Sequence, residues 1–384
     1  MKMTGPLRIA MVTSILAKYD AISNDVVRTS RFLQATPNRE VSILTGHNEL
    51  EDVNVSLVKR ASDLLIAPAF VRADVIIYHF GIFYPQFDAI LMGNGIAKQA
   101  VVFHNITPVE FVSPGSRGTI ERSFAQLANI HVADAIWPDS RENEQMLLHH
   151  GFDQEKITIQ PLAVDRPSRS TVGKPVRDVV ELIFIGRIVS GKGVHDLIEA
   201  LGQVLINGVQ DFRLRVIGDM NVAEASFREH LIQRVKDLKL TKHVEFLGAV
   251  PDEKRDEILL SSHILVVPSY HEGFCVPVIE ALRAGVVPIV YSAYNLKYIA
   301  DGLCASVEPG HMEGLTRAVS TLIEDVKAAS DDRKLSSFRL DRDNLSKSNL
   351  QKAIDSHLEQ FESANVATQL RGLVERLSRV NDQA

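Results

Sequence analysis

Residues 266–285, VVPSYHEGFCVPVIEALRAG, restrict the fold of this chain more tightly than any other stretch. An apolar run ending at Pro268 reads as a strand buried on both faces. A loop carrying His271, Glu272 and Gly273 follows, and then a helix opening near Pro277 with Glu280 in its first turn. Gly273 lets backbone come close to a ligand, and a helix start presents unpaired N–H groups to an anion. Glu272 and Glu280 place a carboxylate on either side of that anion site. The combination suits a phosphorylated ligand whose sugar hydroxyls are held by acids. Each residue taken singly also fits an ordinary strand, loop and helix with two surface glutamates, so the weight lies in the matching parts elsewhere.

The first half alternates short β-branched runs with helical patterns. Strands are expected at 8–13, 40–44, 74–78, 100–103, 135–138 and 157–159, with amphipathic helices at 24–33 and 141–149. Continuous apolar strands spaced by helices indicate a parallel sheet covered on both faces, with ligands beyond the carboxyl ends of its strands. Residues 161–175, PLAVDRPSRSTVGKP, carry no periodic apolar pattern and read as a linker. The alternation then restarts, with strands at 180–185, 212–217, 244–247, 264–267, 287–290 and 305–307 and helices at 194–205, 223–238, 277–284 and 312–326. The expected architecture is α/β: two Rossmann-like doubly wound domains facing a cleft, 1–163 and 164–344. A helical tail follows, 345–384. Its apolar spacing at Leu350, Ile354, Leu358 and Phe361 suits one buried face crossing back to the first domain. Residues 370–380 read either as a self-association surface, giving a homo-oligomer, or as a frayed charged end.

The second domain opens with FIGRIVSGKGVHDLIEAL, in which a strand runs into Gly186 and Gly193 precedes a long helix. Arg187 can fork onto phosphate oxygens and Lys192 can act as a mobile point charge, so a diphosphate between them is the natural ligand. Gly218 closes the next strand. Gly248 and Val250 follow another and offer backbone groups for a nucleobase. A plain strand-to-helix turn explains each of these as well.

Composition narrows the class. At 384 residues the chain has room for two cores, and a formal net charge of −6 argues against a nucleic-acid binder. The two cysteines, Cys275 and Cys304, are too few for a disulfide framework and suit a reducing compartment. No secretory signal is read at the start, and the expected location is cytoplasmic, with a peripheral contact at the inner membrane face as a further expectation. That contact rests on residues 64–70 flanked by Lys59, Arg60 and Arg72, for which a half-buried helix is the default.

Arg187 with Lys192, and Glu272 and Glu280 separated by seven residues within EGFCVPVIEAL, resemble the donor-binding signature of retaining GT-B glycosyltransferases, family four, which includes many bacterial polysaccharide enzymes. FHNITP at 103–108 and DAISNDV at 20–26 resemble one branch of that family. The resemblance implies a nucleotide-sugar donor bound chiefly by the second domain and a glycan or lipid-linked glycan acceptor bound by the first. It implies that Arg187 and Lys192 hold the diphosphate and that Glu280 bonds the ribose. Glu272 would contact the transferred sugar, and Gly273, Phe274 and Cys275 would offer backbone amides. His104 would face the donor sugar across the cleft, joining Arg187, Lys192 and Glu272 as the catalytic set. His79, Asn105, Ser23 and Asn24 are expected sugar or acceptor contacts, with a core or wall histidine the better reading of His79.

The sequence departs from the family pattern after the first strand, where AKYDAISND lacks the usual glycines. Close approach of phosphate to that loop is therefore not expected, although Ser23 and Asn24 sit where side chains cap a helix. Neither a Ser/His/Asp constellation nor metal-ligand spacing is present, so no metal and no cofactor are expected, the nucleotide sugar being a substrate. The donor expected first is GDP-mannose or a similar GDP-sugar, and second a UDP-sugar. Two other readings stay open: a sugar phosphorylase or sugar-phosphate enzyme on the same fold, and a non-catalytic nucleotide-sugar-binding protein.

Overall fold

A computed structural model of the protein describes residues 5–18, 20–167, 171–220, 224–331 and 336–379. Tyr19, Ala223, Val380 and residues 168–170 of the expected linker lie outside them. The chain forms two compact units, Met1–Ala163 with Gln360–Ala384, and Val164–Glu359.

In the first domain, strands β1 (Leu7–Leu16), β2 (Arg39–Asn48), β3 (Val55–Leu57), β4 (Val75–Phe80), β5 (Lys98–Phe103) and β6 (Ala135–Pro138) form a sheet in the order β3-β2-β1-β4-β5-β6. Every pairing is parallel. Helices α1 (Ala21–Gln34), α2 (Ala61–Ile66), α3 (Pro68–Val71), α4 (Arg117–Leu127) and α5 (Arg141–His149) connect the strands. All six residues of β4 are buried, as a strand with helices on both faces must be. The strand expected at 157–159 reduces to a single bridge between Ile157 and Ile136. The edge strand β3 was not expected, because its three residues are half-buried or exposed and carry no apolar run.

The second domain repeats the plan. Its strands are β7 (Val180–Ile185), β8 (Phe212–Ile217), β9 (Val244–Gly248), β10 (Ile264–Val267), β11 (Val287–Tyr291) and β12 (Ala305–Val307), in the order β12-β11-β10-β7-β8-β9. Its helices are α6 (Val194–Ile206), α7 (Ala225–Asp237), α8 (Asp252–Ser261), α9 (Val276–Arg283), α10 (Leu296–Ile299), α11 (Met312–Ala329) and α12 (Lys347–Leu358). Counted from its own first strand, each sheet has the doubly wound order 3-2-1-4-5-6. The order reverses between β1 and β4 in one sheet and between β7 and β10 in the other. Connections leaving adjacent strands there turn to opposite faces and open a crevice at the carboxyl ends, where such sheets bind ligands.

The second unit runs past residue 344 because α12 packs on α9, burying Leu350, Ile354 and Leu358. Helix α13 (Ser363–Arg379) belongs instead to the first domain. Its Leu370, Leu373, Val374 and Leu377 join Ile9, Met11, Val26, Leu33 and Ile77 in one core, and Gln369 Nε2 donates to the Ile159 carbonyl at 2.6 Å. The apolar face read as a self-association surface is thus spent inside its own chain. Leu373→Ala is expected to lower stability by about 2–4 kcal/mol, the cost of a core leucine truncation, read as a lower urea midpoint of the first domain. An unchanged midpoint would mean that α13 lies on the surface.

Candidate functional site

At the reversal point of the second sheet the chain leaves β7 through Gly186 and Arg187, makes one tight turn over Ser190–Lys192, and enters α6 from Gly193. Gly193 has φ of +67°, and a Cβ there would stand 1.9 Å from the Pro268 carbonyl oxygen. Only glycine lets this turn lie against the end of β10. The Tyr270 amide donates to the Gly191 carbonyl at 2.9 Å, and Lys192 Nζ reaches Glu272 Oε1 at 2.6 Å. Adjacent strands thereby join two charged residues 80 positions apart. Arg187 stands exposed, with no ion pair among the described residues.

The remaining loops close around this pair. The Gly218 amide donates to the Gly248 carbonyl at 3.0 Å, and a Cβ on Gly218 would lie 2.0 Å from the Gly186 carbonyl oxygen. Gly248 ends β9 and half-buried Val250 leads into α8. The hydroxyls of Tyr270 and Tyr291 both donate to Asp196 Oδ2 at 2.7 Å, clamping the Glu272 loop to α6. Buried Asn295 donates through its amide to the Glu272 carbonyl at 3.2 Å and through Nδ2 to the Phe274 carbonyl at 2.8 Å. Gly273 therefore sits in a loop fixed at both ends.

Cys275 takes a left-handed conformation, φ +78°, as it enters α9. A non-glycine residue held there stores of order 1–3 kcal/mol, which the surrounding bonds must sustain. Burial pushes its thiol well above the ordinary range, so Cys275 contributes backbone shape and not thiolate chemistry. Glu280 is not in the first turn of α9 as expected; the helix begins at Val276 and places it in the second. It is 5% exposed, and its Oε1 accepts from Arg255 Nη2 on α8 at 2.9 Å. The sequence reading did not find Arg255, whose pairing with Glu280 arises only when α8 and α9 pack.

His271 is buried against Tyr294, with ring centroids 4.4 Å apart. Desolvation, aided by the Lys192 charge and opposed by Glu272, lowers its pKa to about 4. A folded-state value below the unfolded one means that the neutral ring supports the fold above about pH 6.5, and that this support is lost as pH falls toward 4. His271→Gln is accordingly expected to unfold with a shallower loss of stability between pH 6.5 and 4.5, measured by urea midpoints. An identical slope in the two proteins would contradict this placement.

In the first domain the reversal point gathers a different set. His79 lies in β4, His104 directly after β5, Asp25 in α1 and Asp139 directly after β6. His104 Nδ1 bonds Asp139 Oδ2 at 3.2 Å, and His104 Nε2 bonds His79 Nδ1 at 3.0 Å. Asn143 Nδ2 donates to Asp139 Oδ1 at 2.6 Å, and Asn105 Nδ2 donates to Asn143 Oδ1 at 2.5 Å. Burial lowers the His104 pKa, but the Asp139 bond and the charges of Asp25, Asp139 and Asp20 outweigh it and leave the value raised. Burial, with the His104 charge, holds His79 well below the ordinary range and therefore neutral. Burial also raises Asp25 to about 6, against the pull of His104.

Asp25, His79 and His104 each place one ligand atom within 4.8 Å of the others, close enough to share a metal. The ring geometry favours a hydrogen bond instead. With centroids 5.3 Å apart and planes 14° from parallel, a 3.0 Å N···N contact requires both nitrogens on the line joining the rings. Their lone pair and proton point at each other, not at a common third point.

Ser23 is fully buried. Its amide and hydroxyl both donate to Asp20 Oδ2, at 2.8 and 2.6 Å, and its Oγ accepts from the Ala17 amide. It builds the glycine-free loop, Asp20 caps α1, and Asn24 is left exposed. A cavity of about 530 Å³ in the second domain, lined among others by Ser306, His311, Arg317 and Arg339, includes none of the expected site residues.

Residues 171–335 match the family described as Glycosyl transferases group 1. The match covers less than half of the chain and lies within the second domain. It is 29% identical over 228 residues to a phosphatidylinositol N-acetylglucosaminyltransferase component of Arabidopsis thaliana, covering 58% of this chain and 48% of that protein. It is 24% identical over 238 residues to a D-inositol 3-phosphate glycosyltransferase of Rhodococcus opacus, covering 58% and 53%. The chain thus spans about half the length of the curated relatives it matches. Anabaena HepE, solved with UDP-glucose, superposes with a TM-score of 0.70 at 14% identity over 96% of this chain and 99% of that one. A second structure, sucrose-phosphate synthase from Thermosynechococcus elongatus, gives 0.69 at 16% identity over 96% and 99%. The two domains have the two-sheet α/β fold of the GT-B glycosyltransferases.

Proposed function

We propose that the protein is a retaining glycosyltransferase that moves a sugar from a nucleotide-diphosphate donor to a glycan or lipid-linked glycan. The observation that carries the reading is the Lys192–Glu272 pair beside exposed Arg187 at the reversal point of a group 1 domain. A cation pair for phosphate and an acid for sugar hydroxyls stand where such sheets take ligands. On this reading Arg187 and Lys192 hold the diphosphate, and backbone around Gly218, Gly248 and Val250 faces the base. Gly273, Phe274 and the start of α9 take phosphate and sugar. Glu280, already set by Arg255, takes ribose hydroxyls.

Transfer breaks the donor's glycosidic bond through an oxocarbenium-like state. The diphosphate leaves stabilised by two cations and a helix start, which do the work a metal does in other transferases. Attack comes from the same face, with a donor phosphate oxygen taking the acceptor's proton. Glu272 positions the sugar and forms no covalent bond to it. His104 serves the first-domain side of the reaction. No cofactor enters this scheme.

A GDP-sugar is proposed first as donor, on the sequence resemblance; HepE was solved with UDP-glucose, which favours keeping a UDP-sugar as the second choice. A peripheral contact at the inner membrane face is proposed with it. Leu64 and Phe70 are core residues, while Ile66 (77% exposed), Val71, Met92 (71% exposed) and Ile96 are open on the same domain. Among the described residues no helix is long and apolar enough to cross a membrane. The test is incubation of the full chain with GDP- and UDP-sugars and a glycoside panel without metal, following nucleotide release and product mass. Release of one nucleoside diphosphate with a matching glycoside product supports the reading. Turnover only of sugar phosphates, or with inorganic phosphate, would replace it by a phosphorylase.

A further inference from the structure

The cluster at the ligand end of the first sheet has a polarity that the family resemblance does not suggest. His104 was expected to meet a sugar, yet both its ring nitrogens are spent, one on Asp139 and one on His79. Side-chain exposure is 2% for His104, 0% for His79 and 2% for Asp139. A ligand hydroxyl could reach the His104 ring only by displacing one of those bonds. Asp25 differs. Its side chain is 12% exposed, and its Oδ2 lies 3.7 Å from His79 Nδ1 and 3.8 Å from His104 Nε2, beyond hydrogen-bond reach of both. Its carboxylate accepts no hydrogen bond from any described residue.

A largely buried carboxylate without hydrogen-bond donors is costly. Other buried carboxylates in this chain are supplied with donors: Asp139 by Asn143 and His104, Asp196 by two tyrosines, Glu280 by Arg255. Asp25 alone of these five groups, counting Glu272 with its lysine, lacks one. It stands on α1 at the crevice of the doubly wound sheet. What it lacks is what a sugar hydroxyl brings, an O–H donor arriving from solvent.

We propose that Asp25 is the group in the first domain that binds a hydroxyl of the sugar acceptor, and that the His104 ring, fixed between Asp139 and His79, is the positioning group behind it. The inference rests on the transferase reading and adds to it the acceptor contact. Asp139 and His79 then hold the His104 ring in place and touch no ligand. A second carboxylate oxygen remains to take a neighbouring hydroxyl, so the fitting ligand is a pyranoside with adjacent hydroxyl groups.

The test uses the full chain, the variants Asp25→Asn and Asp25→Glu, and saturation-transfer NMR with methyl α- and β-pyranosides of glucose, galactose, mannose and N-acetylglucosamine. UDP and GDP binding is measured separately by calorimetry. The expected result is glycoside binding about tenfold to a hundredfold weaker in Asp25→Asn, the range for losing bonds to a charged partner. Nucleoside diphosphate affinity should stay within twofold, and Asp25→Glu should recover part of the loss. Unchanged glycoside binding in Asp25→Asn, or no glycoside binding by the unaltered protein, overturns the assignment. An equal fall in nucleotide affinity makes Asp25 structural. Weakened binding of the nucleotide sugar, with bare diphosphate unaffected, moves it to the donor sugar and also overturns the acceptor role. Failure of the transferase reading would appear elsewhere, as absence of any nucleotide binding by the unaltered protein.

Discussion

Glu272→Gln is expected to lower kcat by about a hundredfold to a thousandfold while leaving the donor KM within a few-fold, the pattern for losing a group that acts in the transition state. Glutamine keeps the shape of the side chain and can still bond a hydroxyl, but it cannot carry the charge that stabilises an oxocarbenium-like sugar. That charge is held by Lys192 Nζ at 2.6 Å. On the proposed reading a diphosphate would compete for Lys192 and release Glu272 toward the sugar. Lys192→Ala should therefore differ in kind, raising the donor KM together with lowering kcat. Initial-rate kinetics over donor concentration separate the two. A Glu272→Gln enzyme with kcat within threefold of the parent would remove Glu272 from the chemistry.

The second large effect is structural. Gly193→Ala places a methyl group 1.9 Å from the Pro268 carbonyl oxygen, a backbone atom at the end of β10, at a residue with φ of +67°. No rotamer relieves a clash with main chain, so the Ser190–Lys192 turn and the start of α6 must move away from β10. The expected cost is at least about 3 kcal/mol, or roughly 6–12 °C in the thermal transition of the second domain. Gly248→Ala is the control: φ there is +70°, but nothing lies within 4 Å of the added carbon. It should cost only the conformational strain, about 1 kcal/mol. Equal shifts for the two variants would mean that the close approach of Gly193 to β10 does not stabilise the domain.

The strands were legible where burial on both faces imposes an apolar run, unbroken in β10 and interrupted only by His79 in β4 and Glu181 in β7. The start of the amphipathic helix α5 is marked by Ser140, whose side chain accepts from the Asn143 amide. β3 escaped because three half-exposed edge residues have no pattern to read. Arg187, Lys192 and Glu272 could be singled out because each sits in a loop after an apolar strand, and Glu280 because it lies in the same stretch, although α9 carries it one turn further in. Their partners were hidden. Arg255 meets Glu280 only through packing of α8 on α9, and Asp139 and His79 meet His104 only because β4, β5 and β6 are neighbours in the sheet. A carboxylate immediately after an apolar strand, as in IWPD at 136–139, was the available signal. The occupied nitrogens of His104 had none, since hydrogen-bond saturation is a property of the folded neighbourhood.

The measurement that bears most directly on the account is the affinity of the full chain for GDP, UDP and ADP by calorimetry and thermal shift, with chelator present and absent, beside Arg187→Ala. The account predicts that one diphosphate series binds and stabilises the protein by about 2.7 kcal/mol at a hundredfold excess over its Kd. It also predicts that chelator changes nothing and that Arg187→Ala weakens binding at least about tenfold, as expected for a bidentate phosphate contact. No stabilisation by any of the three at millimolar concentration, or full affinity retained in Arg187→Ala, would contradict it.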